Sequence, residues 1–331
     1  MKIWELLMMA AANAGGAPGP SVADLFSTDI FTTNSQPRTV NNGIDLAGEG
    51  GMVWFKSRSN SSNHHVFDTE RGSARYLSTD APSGESTNSQ SLTSFNSNGF
   101  SLGIANIVDN VGSAVTWTFR KAPQFFDVVT YTGNGTAGRT VTHNLGSVPG
   151  MIWIKRLDFR NWSVYHRAVD ATAPEDFRLL LNEANARIDT ATAFNDTAPT
   201  STNFTLGTDA DVNTSGQNYV AYVFAHEPAG NIQCGSYTGN GSSNGPIINL
   251  GWQPQFLLIK RATGANADWF IFDTTRGITS GSDAVLEAND VTSEASRTWA
   301  DLTSTGFEIT SSSGVINSVN DNYIYMAIRA E

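Results

Sequence analysis

"MIWIKR" (151–156) is four apolar residues closed by two basic ones. A run with no polar alternation, too short for a typical helix, predicts a strand buried on both faces. The run returns as "FLLIKR" (256–261) and, more loosely, as "VWFKSR" (53–58). Its surroundings return as well. "YTGNG" stands at 131–135 and 237–241. "WSVYHR" (162–167) answers "WFIFDTTRG" (269–277) and "VFDTERG" (66–72). "TSTNFTLG" (200–207) answers "TSTGFEIT" (303–310) and "SFNSNGFSLG" (94–103). "NYVAYVFAHEP" (218–228) answers "NYIYMAIRAE" (322–331) and "AVTWTFRKAP" (114–123). The block order never changes, which is the mark of tandem repetition. Three units follow, at 30–126, 127–232 and 233–331, each of about 100 residues, the size of one β domain. The first is the most eroded: "FTTNSQPRTVNNGIDL" (31–46) stands where the others open on YTGNG.

Short runs rich in Val, Ile, Phe, Trp and Tyr, bounded by Gly, Asn and Pro, predict an all-β chain of sandwich or jelly-roll units. "FRLLLN" (177–182) reads as a strand, because "SDAVLEAN" holds its place in the third unit, and Asn98-Gly99 signals a hairpin. The repeated Gly-Asn-Gly predicts a turn with positive φ, the other reading being a ligand-contacting loop.

Charged residues make up 15% of the chain, and the net charge is −11. With no basic stripe to displace counterions, nucleic acid is excluded as a partner. A lone cysteine, Cys234, allows no intramolecular disulfide. Residues 1–29 stand apart as an N-terminal segment. Its Ile3, Trp4, Leu6, Leu7, Met8 and Met9 would surround a helix with apolar side chains, and a Gly/Pro linker follows. That stretch is too short to span a bilayer. A helix apolar all round needs burial all round, so the segment is expected to anchor the chain to another subunit or a larger assembly. Folding back on unit 1 is the alternative.

Chemistry finds little support. Gly241-Ser242-Ser243-Asn244-Gly245 matches G-x-S-x-G but lacks the strand-to-helix setting of a nucleophile elbow. Asp209, Asp211 and Asn213 start like a calcium loop without its turn glycine or closing acid; a looser oxygen-ligand site stays open. His64 and His65 are adjacent and would point to opposite faces of a strand. We expect no enzyme activity, no cofactor and no metal site. The best repeated polar motif is Asp68-Thr-Glu-Arg71-Gly and Asp273-Thr-Thr-Arg276-Gly, absent from unit 2. It reads as a turn staple, or else as a ligand contact. Most tryptophans are core candidates; Trp252, in a loop without an aromatic counterpart, is expected to face a sugar or a partner.

The series "YTGNG…HNLG…MIWIKR", "FDTERG/FDTTRG", "SFNSNGFSLG" and "YVAYVFA" resembles repeats in structural proteins of tailed bacteriophages, which are similar to concanavalin A-like or laminin-G-like jelly rolls. The resemblance implies a virion component, and within that class a tail or fibre component that contacts the host surface is the leading expectation. Head decoration and a free glycan-binding lectin are the alternatives. The expected partners are other virion proteins, met through the N-terminal segment, copies of the chain itself and a host-surface glycan.

Overall fold

The computed structural model describes residues 20–331 apart from Asn110 and Ser280. The anchor expected at Ile3, Trp4, Leu6, Leu7, Met8 and Met9 lies outside the described residues. The chain is all-β, and among the described residues the helices are single turns. Each unit is a sandwich of antiparallel sheets. The main sheet uses four recurring strands. The opening strand is Phe26–Thr32, Phe126–Thr132 or Ile232–Thr238. The lysine strand is Gly51–Ser57, Pro149–Arg156 or Pro254–Arg261. The staple strand is His65–Asp68, Trp162–His166 or Trp269–Asp273. The closing strand is Ser113–Arg120, Asn218–Ala225 or Asn322–Arg329. In all three sheets the order is opening, closing, lysine, staple. The smaller facing sheets are built on Arg38–Asn41 with Gly99–Leu102, Arg139–Thr142 with Asn203–Leu206, and Ile247–Asn249 with Gly306–Ile309.

Unit 1 begins earlier than its eroded sequence indicates. Val22, Leu25 and Phe26 are already buried in the core, within the stretch read as part of the N-terminal segment. Phe177–Leu180 is a strand, as its counterpart in unit 3 indicates.

Strand alternation explains why the lysine strands have no polar face. Val53 and Phe55 pack into the core of unit 1, and Leu257 and Ile259 into that of unit 3. The opposite face carries Met52 and Trp54, Met151 and Trp153, or Phe256 and Leu258, and these join one cluster fed by all three units. There Trp54 meets Trp153 at 5.4 Å, Phe119 meets Phe224 at 5.6 Å, and Trp117 meets Phe256 at 6.1 Å between ring centroids. Three main sheets thus turn their second faces onto a shared centre.

The YTGNG repeat has a local cause. Gly135 and Gly241 take positive φ, +71° and +68°. The earlier glycine of each copy answers a different need, close approach. A Cβ on Gly133 would lie 2.2 Å from the Thr214 carbonyl oxygen, and one on Gly239 would lie 2.1 Å from that of Ser318. The buried Asn213 and Asn317 side chains accept from the backbone N–H of Asn134 and Asn240. Tyr131 stacks on Tyr219 and Tyr237 on Tyr323, at 5.0 and 4.9 Å, and the Tyr131 and Tyr237 hydroxyls donate to the Val212 and Ile316 carbonyls. The turn is latched from within.

Candidate functional site: the seams between units

Asp68, His166 and Asp273 close the three staple strands on the centre-facing side, and all three are buried. Each reaches the next unit. Asp68 binds the Arg71 Nε at 2.6 Å and accepts from the hydroxyl of Tyr222, in unit 2, at 2.7 Å. Asp273 pairs with Arg276 and accepts from the indole N–H of Trp117, in unit 1, at 2.9 Å. Tyr222 and Trp117 hold the same position in their closing strands, opposite Trp153 and Trp54 respectively. The third such position, opposite Leu258, is Met326, which has no donor to offer. The unit facing it is unit 2, the one that lacks the motif. There His166 Nδ1 accepts from the Ala168 N–H, so Nε2 carries the proton and donates to the Tyr325 carbonyl oxygen at 3.1 Å. Burial lowers its pKa to about 3, which keeps the imidazole neutral. The irregularity in the repeat therefore follows the chemistry of the seam.

The opposite ends of the staple strands reach back to the preceding unit. The Trp162 indole donates to the Ser78 carbonyl at 2.8 Å, and that of Trp269 to the Leu180 carbonyl at 2.9 Å. The buried His64 takes this place in unit 1, beside the Glu287 backbone, with neither ring nitrogen making a full hydrogen bond. Paired backbone bonds run alongside: Glu85 to Leu157 and Arg160 to Pro82, Arg187 to Ala262 and Ala267 to Ala184, Ser62 to Val291 and Glu294 to Arg58. Units 1–2, 2–3 and 3–1 are joined alike, so the chain closes into a ring.

Each ring position also holds a buried lysine wrapped in carbonyl oxygens. Lys56 Nζ donates to Ser62 and, across the seam, to Val291. Lys155 donates to Arg156 and Asp158. Lys260 donates to Arg261, Ala267 and, across the seam, Ala184. Desolvation lowers their pKa values to about 8, 7 and 7, against the pull of nearby carboxylates. Arg71 shifts the other way: burial disfavours its cation, but Asp68, Tyr222 and Glu85 together outweigh that cost and raise its pKa.

Above two of these seams the surface opens into clefts of about 400 and 490 Å³. One joins Glu70, Arg71 and Arg75 to Tyr131 and Asn218; the other joins Asp170 and Arg187 to Thr238 and Asn322. Arg71 and Arg75 are matched by Glu85 and Arg187 by Asp170, while Arg167 lines the second cleft without an ion pair among the described residues. The Asp–Arg motifs are thus seam staples with their carboxylates sealed from solvent.

Trp252 corrects an expectation. It is 7% exposed, packs in the core of unit 3 and donates to the Pro228 carbonyl in the linker to unit 2, so it presents no free face to a sugar. The calcium-like stretch turns inward too: Asp209 caps a single helical turn, and both Asp209 and Asp211 pair with Arg178. Among the described residues no group of three potential ligands could hold a metal ion. Burial pushes the Cys234 thiol pKa up. His64 faces Trp54 and His65 faces Tyr76, on opposite sides of the strand. No helix of the described residues is long and apolar enough to cross a membrane.

Three β-sandwiches closed around one centre within a single chain define an all-β, seam-stapled class of architecture. Residues 21–331, spanning all three units, match the family described as "Domain of unknown function (DUF7483)", and the chain belongs to that family. No curated protein and no solved structure matches it.

Proposed function

We propose that the protein is a structural component of a bacteriophage virion, placed in the tail or a fibre, where it is held at one end and meets its surroundings with the other. The observation that carries this reading is where the chain enters and leaves the ring. Asn231, in the linker to unit 3, donates to the Pro20 carbonyl, and Ser21, Val22 and Ala23 share a cleft with Arg329, Ala330 and Glu331. The first and last described residues thus meet at one place, so attachment through residues 1–19 would tether the ring by a single edge. The block resemblance to phage repeats supports the same reading, as does a ring whose polar groups are largely engaged in staples and turns.

The test is immunogold labelling of purified particles from a host carrying this gene, with the full chain and with residues 1–20 deleted. The full chain should label particles at the tail, and the truncated chain should fold but fail to incorporate. Protein found only off the particles would overturn the proposal, whereas label on the head would move it to a decoration role.

A further inference from the structure

His65 and Tyr76 stand at one end of unit 1, their rings 5.0 Å apart and edge to face. The corresponding places in the other units follow from strand pairing. Val66 lies opposite Leu77, Val164 opposite Leu179, and Ile271 opposite Leu286. His65 therefore corresponds to Ser163 and Phe270, and Tyr76 to Arg178 and Val285. In unit 2 this place is filled by Arg178, which reaches Ser163, Asp209 and Asp211. In unit 3 it is filled by Trp299, packed edge-on against Phe270 at 4.8 Å. In unit 1 it is an open cleft of about 320 Å³, lined by His65, Tyr76, Asn63, Ser83, Ser86 and Asn106 among others. At its edge, His65 is 5% exposed and its Nδ1 has no hydrogen-bond partner. A buried polar atom without a partner carries a desolvation cost that a ligand can relieve.

We propose that this cleft binds one neutral sugar residue, with His65 and the serine and asparagine side chains bonding its hydroxyls and Tyr76 forming an apolar wall. The lining carries no Asp, Glu, Lys or Arg, so neither an anion nor a metal ion finds a counter-charge. Serine hydroxyls and asparagine amides both donate and accept, as vicinal sugar hydroxyls require. The cleft lies within the size range of small-ligand sites, roughly 300–1,000 Å³. Burial, with Lys56 adding to it, holds the His65 pKa at about 4, so the ring stays neutral and one nitrogen remains an acceptor at physiological pH. The proposal is independent of the virion reading, because it concerns the isolated protein.

Saturation-transfer NMR on the full chain, with glucose, galactose, mannose, N-acetylglucosamine and their β-linked disaccharides as probes, tests it. At least one probe should bind, and binding should weaken at least tenfold in His65→Phe. His65 is buried, so a second variant, Ser83→Trp, blocks the cleft from an exposed rim position without touching the core; it should abolish binding with the melting temperature unchanged. The proposal is overturned if no probe binds, if binding survives Ser83→Trp, or if a sialylated or uronic-acid sugar binds in the cleft while the neutral ones do not.

Discussion

At the scale of single residues, the Asp–Arg pairs are the most deeply buried ion pairs among the described residues. Asp273 and Arg276 side chains are fully buried, and Asp273 also receives the Trp117 indole from unit 1. Asp273→Ala would leave Arg276 with Glu294 as its remaining counter-charge and the indole unpaired, at a cost of about 1–3 kcal/mol; chemical denaturation would measure it. An unchanged midpoint would mean that Asp273 acts in something other than packing. The motif was visible in the sequence as a repeated polar turn. Its reach across a seam was not, because a single chain carries no record of which unit faces which. The absence of the motif from unit 2 has no explanation in the sequence; Met326, opposite it, supplies one. Trp252 was misread for a related reason. Its loop has no aromatic counterpart in the other units, but the carbonyl and core that bury it come from a linker and a sheet distant in sequence.

At the scale of elements, the lysine strand was legible as doubly buried, and the turn after the opening strands of units 2 and 3 as glycine-dependent. What covers the second face of the strand could not be read, since apolarity does not name its partner. Gly239→Ala tests the turn. The added Cβ meets the Ser318 carbonyl oxygen at 2.1 Å, a backbone atom that cannot swing aside, so we expect a loss of about 1–3 kcal/mol, as for overpacked cores. A neutral effect in thermal unfolding would show that the latch can relax.

The lysine cages predict a pH dependence. The folded-state pKa values of Lys56, Lys155 and Lys260 lie near 8, 7 and 7, below the 10.5 of a free lysine. Below the folded values both states hold the protons, and the burial penalty is present in full. As pH rises above them, the unfolded chain binds more protons than the folded one, so stability should increase from about pH 7 to 9.5, by at most about 1.4 kcal/mol per unit for each lysine. Lys260→Met should make that rise shallower. A melting temperature that falls with pH over the same window, or a slope untouched by the substitution, would show that the cages hold the charged form instead.

At the scale of the whole molecule, three copies of one sandwich build a closed ring with a common centre; the all-β class was readable from the short apolar runs and the three-fold repetition from block order. Closure was not, because tandem repeats can equally form a string of separate domains, and it is the paired backbone bonds and indole bonds at every seam, with the staples and the Lys56 and Lys260 cages, that distinguish the two. Those contacts predict that no unit melts alone. Differential scanning calorimetry of the whole chain tests this most directly. A ring with a shared core should unfold in one transition whose calorimetric and van't Hoff enthalpies agree, a ratio of about one. A ratio of about three, or separate transitions for the units, would contradict it.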